Sequence, residues 1–528
     1  MKLLLAALSL FLITAVYGHS ASEWKSRVIY QLLTDRFAKD TDDSNACSDL
    51  STYCGGTFKG IIQKLDYIQG LGANAIWISP IPLQTDGGYH GYWQQDITQI
   101  NPNFGTEQDL KDLVNACHSK DIWVMLDVVA NHVGNQNYND WSNFAKFVPF
   151  NDQSHYHSYC LITDFTNQQQ VEVCRLANLP DLDQSNSFVR STLKNWVQST
   201  IQKYGFDGIR IDTTPEVPKD FWSEYSGSAG VFSIGEVFNG DPNYVSQYQG
   251  PLNSVLSYPM YYKLSNAFQQ KQTMRNIHDG VQANQKFSDS SVLGGFLDNH
   301  DNPRFLSQNS DWNTLQNALA YNIFAESIPI IYYGTEQGFN GPKDPNNRES
   351  LWPHYNTDHP LYKAISIMAK FRNSLGSQLY NAQQIERYVD DQFFAFSRGN
   401  VLVATTNLGS GQSFTRTITY HPYSDGTKLV NQLDTSDTVV VNNGQFQVNI
   451  NNGLPKIYYP QSTEDVPLEE AVVSGHDEEN KTHYTIGLVT GFASLIVVIV
   501  IVTLSAAAGV WYYRRRKNHR QYNAINSD

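Results

Sequence analysis

Eight short runs rich in β-branched and aromatic residues recur between residues 28 and 333, and longer stretches of helical period separate them. The runs cover 28–33, 75–80, 122–129, 208–212, 231–237, 255–260, 292–297 and 328–333. Among the intervening segments, 106–120 has Thr106 and Asp109 at capping-box spacing, and 187–204 carries a second helical pattern. Strands that alternate with helices pair in parallel, because each crossover returns the chain to the end of the sheet where it began. Eight of them predict an α/β fold of the (β/α)8, TIM-barrel type. A doubly wound open sheet would need a Gly-rich phosphate turn behind an early strand, and the sequence has none.

Two interruptions set further boundaries. After the third strand, residues 132–183 run without a helix, are rich in Asn, Gln and Tyr, and predict a small inserted B domain. The barrel is then shared between 19–131 and 184–375. Beyond residue 375 short alternating strands such as 393–397, 402–406 and 438–441 predict a separate antiparallel β-sandwich over 376–460. Residues 461–483 are acidic and aperiodic, as a stalk would be.

Apolar segments frame this core. Residues 1–18 have the architecture of a signal peptide. Residues 484–513 contain no charged side chain and exceed the roughly 20 needed to span a hydrocarbon core. Arg514, Arg515, Arg516 and Lys517 follow at once, so the tail 514–528 is expected in the cytosol and the large N-terminal part outside or in a lumen. A single-pass type I membrane protein is expected, with plasma membrane and lysosome or vacuole both open. Tyr522-Asn523-Ala524-Ile525 fits a sorting signal there. In such an oxidising compartment the spacing of the five cysteines predicts two local disulfides, Cys47 with Cys54 and Cys160 with Cys174, leaving Cys117 as a buried thiol. Asn480 opens a glycosylation sequon. A net charge of −14 argues against nucleic acid as a partner, and a monomer is expected.

Barrels of this kind place their chemistry at the C-terminal ends of the strands. Here the third strand runs into Asp127-Val128-Val129-Ala130-Asn131-His132, and the fourth ends Gly208-Ile209-Arg210-Ile211-Asp212. The fifth ends Gly235-Glu236-Val237, and the seventh leads into Asp298-Asn299-His300-Asp301. Asp212, Glu236 and Asp301 therefore reach one rim from three strands, accompanied by Arg210, His132 and His300. Cleaving a glycosidic bond with retention needs one ionised and one protonated carboxyl about 5 Å apart. Arg210 lies two residues before Asp212 on the same strand face and is placed to keep that carboxylate charged. Glu236 has no cation beside it in sequence, which suits the acid.

These segments resemble the signature regions of the α-amylase family, glycoside hydrolase family 13, and in particular its fungal secreted members. The likeness extends from about residue 28 to 460. It includes His90-Gly91-Tyr92-Trp93-Gln94-Gln95-Asp96, Leu179-Pro180-Asp181-Leu182-Asp183, Gly334-Thr335-Glu336-Gln337 and Asp344-Pro345-Asn346-Asn347-Arg348-Glu349. The resemblance implies that Asp212 is the nucleophile, Glu236 the acid/base and Asp301 the acid that steadies the distorted sugar. It further implies that Arg210, His132 and His300 hold glucose hydroxyls, that Tyr92 stacks beneath the ring, and that His90, Trp93, Asp344 and Arg348 line the non-reducing side. A calcium ion is implied as cofactor, on Asn131, Glu172, Asp181 and the backbone carbonyl of Glu216, whose hard oxygens suit it.

The expected activity is endo-hydrolysis of α-1,4-glucans such as starch, glycogen and maltooligosaccharides. A 4-α-glucanotransferase, an α-glucosidase with the same acids, or a catalytically silent membrane scaffold are the alternatives. One departure bears on that choice. Where fungal members carry Lys and His after the nucleophile, this chain reads Thr213-Thr214-Pro215-Glu216, and the loop 83–88 before His90 is short. Both changes fall where an acceptor sugar competes with water.

Overall fold

The computed structural model describes residues 18–134 and 144–461 of the 528-residue chain. The expected signal segment apart from Gly18, residues 135–143 of the insertion, the stalk apart from Gln461, the span 484–513, the tail and Asn480 lie outside these residues. Among the described residues, no helix is long and apolar enough to cross a membrane.

Eight parallel strands form the central sheet: β1 (Ile29–Gln31), β2 (Ala75–Ile78), β5 (Trp123–Val128), β6 (Gly208–Ile211), β7 (Phe232–Gly235), β8 (Ser254–Val255), β9 (Gly294–Gly295) and β10 (Ile328–Tyr332). Their order is β8-β7-β6-β5-β2-β1-β10-β9, and a parallel bridge from Leu256 to Gly294 joins the two ends into a closed barrel. Ile29, Ala75, Trp77, Met125, Ile234, Leu256 and Ile330 belong to one buried cluster that fills the interior. Trp24 closes its N-terminal end, packed against Trp123 and Phe232 at ring distances of 5.2 Å.

Two of the expected strands are much shorter than their apolar runs. Of 255–260, only Val255 is strand; the helix Tyr258–Leu264 starts at once, with Pro259 in its first turn, where the fixed φ and missing N–H favour a helix start over a ladder. Of 292–297, Ser290–Val292 is a 3-10 turn capped by the Asp289 side chain. Only the two glycines pair, and a Cβ on Gly294 would lie 2.6 Å from Ile234 Cδ1 inside the barrel. The helices Glu107–His118 and Ser187–Tyr204 form, the first with the Thr106/Asp109 capping box in place.

Three excursions build on this frame. After β2 the antiparallel pair β3 (Pro82–Gln84) and β4 (Gln94–Ile100) carries residues 85–93 to the rim. Gly91 sits there at φ +93°, so close to Pro80 that a Cβ would clash at 2.6 Å. In the insertion, the Cys160–Cys174 disulfide, the helix Gln168–Val173 and bridges from Tyr156 to Leu182 and His132 to Asp181 hold residues 144–183 on the barrel. The second disulfide joins Cys47 to Cys54, and Cys117 is a buried free thiol.

The C-terminal region is an antiparallel sheet of β11 (Gln384–Val389), β12 (Phe393–Arg398), β13 (Val401–Thr406), β15 (Lys428–Asn431), β16 (Thr438–Val440) and β18 (Lys456–Pro460), in the order β11-β12-β13-β18-β15-β16. A smaller pair, β14 (Phe414–Ile418) with β17 (Phe446–Ile450), covers it. Phe393, Ala395, Leu402 and Ala404 of the large sheet meet Ile418, Val448 and Ile450 of the small pair in a shared core.

Candidate active site

The parallel ladder itself places the first two acids. Ile211 and Gly235 are register partners across β6 and β7. Pairing continues one step further, as Asp212 N donates to Val128 O at 3.0 Å and Glu236 N donates to Ile211 O at 2.8 Å. Asp212 and Glu236 thus stand side by side at the ends of adjacent strands, about 4.8 Å apart at the backbone. Thr213 then adopts φ 46°, ψ 50°, a left-handed conformation that is costly for a β-branched residue. That turn aims its N–H at Glu236 Oε2, at 3.3 Å.

Arg210 lies under both acids, fully buried. Its Nη1 donates to Asp212 Oδ1 at 2.9 Å and to Asp127 Oδ1 and Oδ2 at 2.9 and 3.0 Å. Its Nη2 lies 2.8 Å from Glu236 Oε1, an ion contact without the alignment of a full hydrogen bond. Glu236 has no cation beside it in sequence, and its neighbour in space is the same arginine, delivered from the next strand. What separates the two acids is alignment. Asp212 accepts a well-directed charged hydrogen bond, which favours its ionised form, and Glu236 does not.

Burial pushes both carboxyls above their ordinary values, opposed in each by Arg210, with Glu236 raising Asp212 and Asp301 raising Glu236. One guanidinium serves Asp127, Asp212 and Glu236 together. Asp301 differs. Burial works against its charge, but His300 at 3.0 Å, Arg348 at 3.3 Å and Arg210 outweigh it and hold Asp301 well below the usual carboxylate range.

The surrounding residues form layers. Tyr92 stacks on His300 at 5.3 Å and on His90 at 5.5 Å. Its hydroxyl donates to Asp127 Oδ2 at 2.7 Å and meets His300 Nε2 at 2.8 Å. His132 Nε2 contacts the Tyr92 carbonyl at 3.1 Å, and burial drives this imidazole down to about 4, so it is neutral at neutral pH. Burial, with Arg348 nearby, also holds His90 well below its ordinary value. Neutral imidazoles both donate and accept, which suits sugar hydroxyls. Trp93 stands edge-on to His90 at 4.9 Å, and Arg348 pairs with Asp344 at 3.1 Å.

Asp212, Glu236, Asp301 and His132 line a cleft of about 640 Å³, with Arg210, Asp127 and His300 behind its surface. His90, Tyr92, Trp93, Asp344 and Arg348 make one side. Phe165, Pro215, Phe238 and Tyr244 stand on the other, the flank of Glu236. Phe165 and Phe238 are 61% and 51% exposed, unusual for phenyl rings. Sequence reasoning missed Asp127, Phe165, Phe238 and Tyr244. Asp127 was within reach, because its register partner across β5 and β6 is Arg210. Phe238 and Tyr244 follow Glu236 closely in the chain but carried no pattern of their own, and Phe165 comes from a loop distant in sequence.

Of the four residues implied for calcium, three converge. The outer atom of the Asn131 amide lies 2.9 Å from Asp181 Oδ1 and 3.1 Å from the Glu216 carbonyl oxygen. With the amide oxygen outermost, three oxygens face one point, as a hard cation requires; with the nitrogen outermost, they hydrogen-bond. Glu216 Oε2 is buried without a partner. Glu172 does not join them directly: its Oε1 accepts from Gln168 Nε2 at 2.8 Å. Among the described residues, no three His, Cys, Asp or Glu side chains gather as a metal site, and the set here is one carboxylate, one amide and one carbonyl oxygen.

The chain is similar to known proteins over most of its length. The chain matches the family described as alpha amylase, catalytic domain, over residues 31–391, and that described as alpha-amylase, domain C, over 386–467. It is 41% identical over 461 residues to an alpha-amylase of Saccharomycopsis fibuligera, covering 84% of this chain and 92% of that protein. An alpha-amylase 2 of Schwanniomyces occidentalis is 40% identical over 489 residues, covering 87% of this chain and 95% of that one. The solved structure of an alpha-amylase from Malbranchea cinnamomea superposes with a TM-score of 0.82 at 38% identity, covering 84% and 98% of the two chains.

Proposed function

Because the chain belongs to the α-amylase family, we propose that its cleft hydrolyses internal α-1,4 bonds of starch-type glucans through a covalent glycosyl ester on Asp212. The observation that carries this reading is the placement of Asp212 and Glu236 on neighbouring rungs of one ladder, over the two ends of one guanidinium. A retaining mechanism needs its two carboxyls about 5–5.5 Å apart, so that one attacks directly, and one guanidinium touching both acids draws them together as that class requires.

The bond breaks in two displacements. Asp212 attacks C1 of the glucose while Glu236 gives its proton to the departing glycosidic oxygen. Water then enters where the leaving sugar was, passes a proton to Glu236 and releases the ester. Asp301, held ionised by His300 and Arg348, faces the positive charge that develops on the ring. Tyr92 supplies the floor beneath that ring, and His132 and His300 its hydroxyl partners.

A calcium ion fits the oxygens of Asn131, Asp181 and Glu216, with Glu172 close by through Gln168. When bound, such an ion supplies no chemistry to the bond; it ties the end of β5, the insertion and the turn after β6 together. Chelation with EDTA is expected to lower the Tm of the full chain by roughly 5 °C or more, restored by added calcium. An unchanged Tm would remove calcium from this reading.

Residues 484–513 are assigned as a membrane anchor, with 1–18 as the leader and the catalytic part outside the cytosol at the plasma membrane or in a lysosome or vacuole. One preparation tests anchor and reaction together. The full chain should stay in the membrane pellet through alkaline carbonate. Dissolved in detergent, it should release reducing ends from soluble starch whose first-formed anomer is α by proton NMR. Recovery in the supernatant sinks the anchor; β-anomer appearing first sinks the ester on Asp212.

A further inference from the structure

The flank of the cleft beside Glu236 is assembled from three separate loops, and a single amide touches all three. Gln168 opens the short helix inside the loop that Cys160 and Cys174 close. Its Nε2 donates to the backbone carbonyl of Pro215 at 3.0 Å, in the turn that follows Asp212. Its Oε1 accepts from the hydroxyl of Tyr244 at 2.6 Å, in the helix that follows Glu236. The second Nε2 hydrogen goes back to Glu172 at 2.8 Å in the same helix. Pro215, Tyr244 and Phe165 all line the cleft. Residues 163–167 around Phe165 are exposed, while Pro215 is buried and Tyr244 packs on the core, so the amide links the exposed part of the wall to its supported part. We propose that Gln168 is a positioning residue that seats the disulfide loop against the leaving-group side of the cleft, and thereby sets how the glycosyl ester is divided between water and a second sugar. The proposal rests on the reaction assigned above.

The chemistry makes the seating matter. In both outcomes an O–H attacks C1 of the ester on Asp212, the C1–O bond to the carboxylate breaks, and the proton passes to Glu236. If the attacking oxygen is water's, the product is a shorter glucan. If it is the 4-hydroxyl of a sugar, the same bonds form and break and the product is a longer one. Water needs no wall to hold it. A sugar does, because it must lie still with one hydroxyl over C1, and exposed phenyl rings such as Phe165 and Phe238 offer flat apolar faces for its C–H surfaces. Loosening the wall therefore penalises the sugar acceptor and leaves water unaffected.

The test compares wild type with Gln168→Ala as full-length chains in excess CaCl2, on concentrated maltopentaose, counting products longer than the substrate against new reducing ends. The ratio of transfer to hydrolysis is expected to fall about three- to tenfold, the range that loss of one or two hydrogen bonds produces. Hydrolysis of soluble starch, whose leaving chain rests on the same wall in the first displacement, should fall by no more than that factor. A ratio that holds steady while Tm drops would show a merely structural tie and overturn the proposal. So would a ratio restored by raising CaCl2 further, or a wild type that makes no longer products. Gln168→Glu, which keeps the length and loses the donor, guards against a misfolded alanine variant and should shift the ratio the same way. A wild type inert on starch and maltopentaose alike would instead sink the assigned reaction.

Discussion

Asp212→Asn should lower kcat on soluble starch by on the order of 10⁴-fold, with the fold intact. The amide retains the shape and accepts from Arg210 as before, so substrate binding and melting should change little. It is too poor a nucleophile to form the ester, and the whole loss falls on the chemical step. Glu236→Gln should be comparably inactive on starch for a different reason: the leaving oxygen receives no proton. A substrate that needs no acid separates the two. With α-maltosyl fluoride, whose fluoride departs unaided, Glu236→Gln should regain the first displacement and Asp212→Asn should not. Either variant within tenfold of wild type on starch would refute the role given to that residue.

Arg210→Leu addresses what keeps this site folded. Arg210 is buried beside Asp127, Asp212 and Glu236, and removing it leaves their charge uncompensated. Breaking a buried ion network from one side costs about 3–5 kcal/mol, which urea titration at neutral pH would register. The sign with pH follows from the direction of the shifts. Burial already raises Asp212 and Glu236 in the folded protein, and Arg210 is what opposes that rise. Without it the folded values climb further above the unfolded ones. Such groups favour the fold while protonated, and that stability is lost as pH rises through the folded pKa. The deficit relative to wild type should therefore shrink as pH falls toward about 4 and be largest at neutral pH and above. A deficit below about 1 kcal/mol that ignores pH would mean the acids find other partners.

Much of this was legible before any coordinates. Strands β1, β2, β5, β6, β7 and β10 announce themselves because a buried parallel strand is a dense apolar run, which in β10 outweighs Pro329 within it. The other two misled for identifiable reasons, Pro259 starting a helix and Gly294–Gly295 pairing where no side chain fits. The three acids were readable because strand ends are local features. The electrostatics were not, since Glu236 takes its cation from a residue 26 positions earlier, a relation that exists only across the ladder. The aromatic flank was hidden for the same reason: Phe165 meets Phe238 and the helical Tyr244 only where the barrel brings their segments together.

The main-chain spacing beneath Asp212 and Glu236 is inherited from the repeat of sheet hydrogen bonding, not from the loops that surround it. Every feature that grips the polysaccharide, by contrast, hangs on an insertion or turn outside the strands. Reaction type and substrate preference are therefore separately adjustable in this molecule. Exchange of whole walls, or shortening of an insertion, can retune which glucans enter and which leave while the stereochemical outcome stays fixed by the pitch of a sheet.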